Sequence, residues 1–215
     1  MTNKRACCSR CARPLRTCLC QWIVATPNQI ELIILQHPLE VNNAKNSARL
    51  LQLSLRNCQV YEGETFSDDF LHDLISRDDK KSLLLFPSTP DASNQLSSAE
   101  LPAAQVTQPS VIQQSPAQPS PGQQRLIMLD GTWRKCRKML YLNPILQQLP
   151  RLSLDHCPPS RYHIRKAHAD NQLSTLEASC YALQQLENNE VDYDPLLKAF
   201  DGFVAQQLAL IPPQQ

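Results

Sequence analysis

The chain has 215 residues, 42% hydrophobic and 19% charged, enough for one α/β core with a small appendage. No apolar run reaches the roughly 18 residues of a membrane helix, and the cationic start MTNKRACCSRCARP lacks an apolar secretory core, so a cytoplasmic protein with no membrane partner is expected. Net charge is +1, and the four glycines, at 63, 122, 131 and 202, exclude a Gly-rich dinucleotide fingerprint and a P-loop.

The first 20 residues carry Lys4, Arg5, Arg10, Arg13 and Arg16 without an acid, and five of the nine cysteines. Cys8-x-x-Cys11 followed by Cys18-x-Cys20 supplies four thiols at a spacing that suits a closed, structural, tetrahedral Zn2+ site. Cys7 is an alternative to Cys8. The interleaved arginines favour the thiolate form that binds metal. An odd cysteine count argues against a disulfide framework, and Cys58, Cys136, Cys157 and Cys180 read as small buried hydrophobes.

Ile30 to Leu35 is an apolar run stopped by Pro38, a buried strand. Asn42-Asn43 then caps a helix with Ala44, Ala48, Leu51 and Leu55 at helical spacing. Cys58 to Tyr61 is a short strand, 66–77 a helix with Phe66, Phe70, Leu71 and Leu74 on one side, and Ser82 to Phe86 another buried strand. Residues 90–124 hold six prolines and only two charges, Asp91 and Glu100, too little apolar surface to offset ordering, and are expected to be a disordered insertion. Regular structure resumes with the buried strand Arg125 to Asp130, a basic helix near 133–140, a strand at 151–155 and a loop to 173. Ser174-x-x-Glu177 is a capping box opening a helix with Leu176, Cys180, Leu183 and Leu186. Asp194-Pro195 starts the last helix, with Leu196, Phe200, Phe203 and Val204. Apolar strands alternating with helices predict a parallel sheet covered on both faces.

Asp130-Gly131-Thr132-Trp133 falls at the carboxyl end of a central strand, where open α/β sheets bind ligands. Asp130 there suits a general base, with Thr132 as polar anchor and Trp133 as apolar wall; Asp130 or Thr132 as a plain helix cap fits the local residues equally. Arg134, Lys135, Arg137 and Lys138 follow at once and oppose the helix dipole, which favours an anionic partner. Together with the cationic head, with Lys45 and Arg49 on the first helix and with Arg161, Arg165 and Lys166, they suggest a local polyanion surface. His37 at its strand end reads equally as structural or functional.

Cys8-Ser-Arg-Cys11-Ala-Arg13-Pro14-x-x-x-Cys18-x-Cys20, Gln36-His37-Pro38-x-Glu40, Ala44-Lys45-Asn46-Ser47-Ala48-Arg49, Leu85-Phe86-Pro87-Ser88, Asp130-Gly-Thr132-Trp133 and Leu173-Ser174-Thr175-Leu176-Glu177-Ala178 resemble, in order, the DTW-domain family. The bacterial members of that family are tRNA-uridine aminocarboxypropyltransferases. The resemblance implies a SPOUT-like α/β domain over 25–215, with S-adenosylmethionine held in a knotted C-terminal region, behind a zinc-binding head at 1–24. It implies transfer of the 3-amino-3-carboxypropyl group to N3 of a tRNA uridine in the variable loop, with Asp130 taking the proton. Ser88, Thr132, Trp133, Leu152, Tyr162, Ser174 and Thr175 are then the expected cofactor contacts, and tRNA the partner of the basic segments. A SPOUT-type RNA methyltransferase and a non-catalytic zinc-containing RNA-binding protein are the rival readings. Target uridine and oligomeric state are not set by the sequence.

Overall fold

The computed structural model describes residues 6–41, 43, 46–87, 120–154, 158, 160 and 173–210. Five strands, β1 (Glu31–Gln36), β2 (Cys58–Glu62), β3 (Lys81–Leu85), β4 (Gln124–Asp130) and β5 (Arg151–Leu152), form one sheet in the order β2-β1-β4-β3-β5. Every pairing is parallel. All carboxyl ends therefore lie along one edge, and the register places Gln36 directly opposite Asp130 on the two central strands.

The central strands are buried along their whole length, as expected where both faces are covered. Alternation of side chains sorts them into two cores. Leu32, Ile34, Leu126 and Met128 pack with α2 (Ala48–Ser54), α6 (Thr175–Leu186) and α7 (Asp194–Ala209). Ile33, Leu35, Ile127 and Leu129 pack with α3 (Asp68–Ser76), α4 (Trp133–Leu142) and α5 (Pro144–Gln147).

The cysteine-rich head joins the first of these cores. Cys11 and Leu19 are buried within it. The Arg13 guanidinium sits 5.0 Å over the Phe203 ring, and the Trp22 indole N–H donates to Gln206 Oε1 at 2.6 Å. Trp22 reaches α7 because position 202 is glycine: a Cβ there would overlap three atoms of the indole ring.

At the amino-end edge of the sheet, the Arg125 side chain is fully buried and ion-pairs with Glu31 at 2.8 Å. Arg77 and Lys80 also bind Glu31, at 2.6 and 3.1 Å. Burial works against the Glu31 carboxylate, but the Lys80 and Arg125 contacts outweigh it and hold the carboxyl below its ordinary range.

Several boundaries differ from the sequence reading. The first long helix starts at Ala48 after Ser47, not at Asn42-Asn43, and Leu55 lies just past its end. Pro38 instead opens a one-turn helix, α1 (Pro38–Val41), as proline at a first turn can. The second helix runs Asp68–Ser76, because Ser67 caps it by accepting from the Phe70 amide. Gln124, placed in the insertion by composition, is the first residue of β4; residues 90–119 lie outside the described residues. The strand expected at 151–155 is only Arg151–Leu152, and the turn α5 before it has no clear periodic signal. Asp194 is the first helical residue of α7 rather than its cap, which is Tyr193. The Ser174–Glu177 capping box forms with both of its hydrogen bonds.

Candidate functional site

Asp130 ends β4 and is 5% exposed. Three side chains donate to its carboxylate: Gln36 Nε2 at 2.7 Å and Asn46 Nδ2 at 2.8 Å to Oδ2, and Thr175 Oγ1 at 2.6 Å to Oδ1. The donors come from β1, from the residue pair preceding α2, and from the first turn of α6, so one carboxylate ties three elements together. The positive end of α6 faces it as well. An ionised carboxylate offers about four lone-pair directions. Both on Oδ2 are taken and one on Oδ1 is taken, so one direction on Oδ1, beside Thr175, is left among the described residues. Having donated to Asp130, the Thr175 hydroxyl can only accept from anything further.

The helix cap alternative is resolved by Thr132. Its side chain is the N-cap of α4, accepting from the Lys135 amide at 3.4 Å, and Asp130 takes no part in it. Gly131 keeps this turn tight, since a Cβ would stand 3.1 Å from Lys135 Cβ.

His37, the next residue after β1, is fixed by both ring nitrogens. The Leu39 amide donates to Nδ1 at 3.1 Å, so Nε2 carries the proton toward Glu64 Oε1 at 3.0 Å. Glu64 also binds Lys138 at 3.0 Å, and Lys138, then His37, holds its carboxyl below the usual range. The His37 amide donates to the Asp130 carbonyl at 3.0 Å. His37 thus buttresses the site and has no ring nitrogen left for a substrate.

The apolar wall is larger than Trp133 alone. Trp133 is 41% exposed and meets Phe86 edge-on at 5.8 Å, while the Arg151 guanidinium lies 5.5 Å from the Phe86 ring centre and donates to the Pro87 carbonyl. Trp133 and Phe86 come just after β4 and β3, and Arg151 opens the short β5, whose register against Leu84 and Leu85 puts it at the same end of the sheet. Leu152 closes β5 and is half-buried against the α6 core. Ser174 is buried and uses its hydroxyl as the cap of α6, accepting from Glu177 N. The structure therefore brings Asp130 and Thr175 into contact and places Thr132, Trp133, Leu152 and Ser174 at the ends of the elements around them. Ser88 and Tyr162 lie outside the described residues.

Gln36, Asn46, Glu64 and Phe86 had no role in the sequence reading. Gln36 and Asn46 sit in motifs already singled out, and the polar residue that closes the apolar stretch Leu32–Leu35 was the one sequence signal at Gln36; its place opposite Asp130 is set by strand register.

Of the expected cationic surface, Arg134, Arg137 and Lys138 are exposed on α4. Lys135 is partly buried and paired with Glu40 at 2.9 Å. Arg49 turns toward the head, donating to the Arg10 carbonyl at 2.9 Å and to Gln52 at 2.6 Å. Lys45, Arg161, Arg165 and Lys166 lie outside the described residues.

In the head, the Sγ atoms of Cys8, Cys11, Cys18 and Cys20 lie within 4.8 Å of one another. The Cys8–Cys20 and Cys11–Cys18 separations are 3.6 and 3.8 Å. A tetrahedron of sulfurs with Zn–S near 2.3 Å has edges of about 3.8 Å, so this thiol set fits a zinc ion. Amides of Cys11 and Arg10 bring the Cys8 thiol down to about 6, while burial and the neighbouring thiols push Cys20 up to about 12: without a cation the four resist ionising together. Cys7 is exposed and bridges to Pro14 instead. All described cysteines are free thiols.

A family model described as DTW domain matches residues 5–208. The chain belongs to the DTW-domain family. Three similar curated proteins are each named tRNA-uridine aminocarboxypropyltransferase 2. The Macaca fascicularis protein is 31% identical over 210 residues, covering 96% of this chain and 65% of that protein. The Drosophila melanogaster protein is 30% identical over 192 residues, 86% and 68%, and the Mus musculus protein 30% over 212 residues, 96% and 65%. The chain thus spans about two thirds of their length. No solved structure matches it. Within the matched span, the Asp130–Trp133 turn divides into a buried carboxylate, a helix cap and an exposed indole.

Proposed function

We propose that the chain is a tRNA-uridine aminocarboxypropyltransferase, moving the 3-amino-3-carboxypropyl group of S-adenosylmethionine to N3 of a tRNA uridine in the variable loop. The observation that carries this reading is the one acceptor direction that the described residues leave open on Asp130 Oδ1, in a family whose matched relatives bear that enzyme's name. The proton-accepting atom in this proposal is Oδ1, which takes the N3 proton as N3 attacks the γ-carbon; the carbon–sulfur bond breaks and its electron pair leaves on the neutral thioether, methylthioadenosine. Bound S-adenosylmethionine supplies a sulfonium that makes this carbon electrophilic. The acceptor-only pair Asp130 and Thr175 fits a cationic cofactor better than an anionic one.

In the same reading Thr132 and the backbone at Trp133 hold the amino-acid tail so that its γ-carbon faces the base, an orientation effect. Ser88, Leu152, Tyr162 and Ser174 line the adenosine, and the C-terminal region is SPOUT-like and knotted. Residues 1–24 form a zinc head that docks on the 25–215 catalytic domain, and the proline-rich insertion that begins at 90 ends before Gln124, where β4 starts. Lys45, Arg49, Arg134, Lys135, Arg137, Lys138, Arg161, Arg165 and Lys166 form the tRNA surface. Among the described residues no helix is long and apolar enough to cross a membrane, which accords with a cytoplasmic tRNA-modifying enzyme.

The test is incubation with S-adenosylmethionine and bulk tRNA, followed by mass analysis of the nucleosides. A uridine heavier by one aminocarboxypropyl group is the expected product. A methyl adduct would redirect the reading to methyl transfer, and no adduct despite tight tRNA binding would leave a binding protein.

A further inference from the structure

Helix α4 has two opposed faces. Cys136, Met139 and Leu140 are buried against the sheet. Arg134, Arg137, Lys138 and Tyr141, at i, i+3, i+4 and i+7, share the outer face. Tyr141 is 72% exposed, among the most exposed large side chains described. A single exposed aromatic is ordinary; one flanked on its own helical face by three exposed cations, in a ten-residue helix with no acid, is a different pattern. Two of these cations are also engaged within the chain, Lys138 with Glu64 at 3.0 Å and Arg137 with a partner of its own, yet all three side chains stay exposed.

Alternation of guanidinium or ammonium groups with an exposed ring is the chemistry that single-stranded nucleic acid selects. Cations track the phosphates, and every base has a π-face to stack on the ring. At 1.5 Å per residue, Tyr141 lies about 12 Å along the axis from Trp133, beyond the reach of the target nucleotide but within reach of a neighbour.

We propose that the outer face of α4 is a recognition strip for an unpaired RNA segment flanking the modified uridine, with Tyr141 stacking on a flanking base and Arg134, Arg137 and Lys138 holding the phosphates. This rests on the tRNA reading above and adds to it a stacking residue and a preference for unpaired substrate.

The experiment measures tRNA binding over a range of salt for the wild type, Tyr141→Ala and Tyr141→Phe, with S-adenosylmethionine binding and melting temperature as controls. Tyr141→Ala is expected to weaken tRNA binding about tenfold at every salt concentration, with the salt slope unchanged because no phosphate contact is lost. Tyr141→Phe restores binding, since stacking needs the ring and not the hydroxyl. Wild-type affinity in Tyr141→Ala overturns the strip while leaving the tRNA reading intact. A Phe variant as weak as the Ala variant overturns stacking in favour of a hydroxyl contact. A wild-type dimer that Tyr141→Ala dissociates assigns the face to a second copy of the chain and overturns the proposal. Failure of the wild type to bind tRNA at all removes the functional reading itself.

Discussion

Thr175, the first residue of α6, donates its hydroxyl to Asp130 at the end of β4, 2.6 Å away and 45 positions earlier in the chain. The hydrogen bond locks the C-terminal helices onto the central strand at the point where the sheet edge opens. It also decides which carboxylate oxygen has a direction to spare.

Replacing Thr175 by Val removes that donor and leaves a buried carboxylate oxygen unpaired, a cost of about 1–3 kcal/mol. Thr175→Ser keeps the hydroxyl. Urea unfolding is expected to show the loss for Val and not for Ser, and the transfer rate is expected to fall more than tenfold for Val alone. A Val variant as stable and as active as the Ser variant would mean that the hydroxyl is not what matters at this position.

The head is expected to hold one zinc ion per chain. Metal analysis of Cys11→Ser/Cys18→Ser should find none, and its melting temperature should drop by about 5 °C or more, because Cys11 and Leu19 belong to the main core. Cys7→Ser should keep one equivalent, since Cys7 is outside the cluster. Metal retained in the double variant would contradict the four-thiolate site.

Glu31 faces Arg125, Arg77 and Lys80, and Arg125 is fully buried. Glu31→Gln takes away the guanidinium's nearest counter-charge, leaving it Asp78 at 3.5 Å and the Leu74 and Arg77 carbonyls, and is expected to cost about 3 kcal/mol near neutral pH. The pH dependence has a definite sign. The folded-state carboxyl is held below its ordinary value of 4.5, so the carboxylate's contribution is complete above that value and is lost as pH falls through the lower, folded-state one. Denaturant midpoints of the wild type and the variant should therefore converge on acidification. A gap that stays constant below pH 4 or so would show that the charge is not what stabilises this end of the sheet.

Gly202→Ala raises helix propensity by about 1 kcal/mol, yet it is expected to destabilise the protein. The added Cβ overlaps the Trp22 ring, and overpacking costs about 1–3 kcal/mol. The double variant Gly202→Ala/Trp22→Leu should recover part of the loss in thermal melts. A single variant more stable than wild type would mean that the head is loosely docked on α7.

The sheet was legible because its strands are continuous apolar runs closed by polar or proline residues, as Ile30 to Pro38 and Leu126 to Asp130 show. The α6 start was legible because its capping box is a local signal. Helix α2 was misplaced by several residues because asparagines cap helices and also pair side chains: Asn46 spends its amide on Asp130, and its Oδ1 accepts from the Ala48 amide. The donor set around Asp130 was out of reach for a similar reason. Gln36, Asn46 and Thr175 meet only through strand register and helix packing, over separations of 94, 84 and 45 residues. The cysteine cluster spans thirteen positions and could be read directly, whereas the pairing of Lys135 and Lys138 with Glu40 and Glu64 could not.

The role of Asp130 is tested most directly by single-turnover transfer with Asp130→Asn at saturating S-adenosylmethionine, with calorimetric cofactor binding as the check on folding. The amide must point its NH2 at a donor on one side, so some loss of stability is expected. Where the variant is folded, cofactor affinity should stay within about threefold and transfer should fall by roughly 100- to 10,000-fold, the usual contribution of a general base. A variant that binds cofactor normally and transfers at close to the wild-type rate would contradict the account.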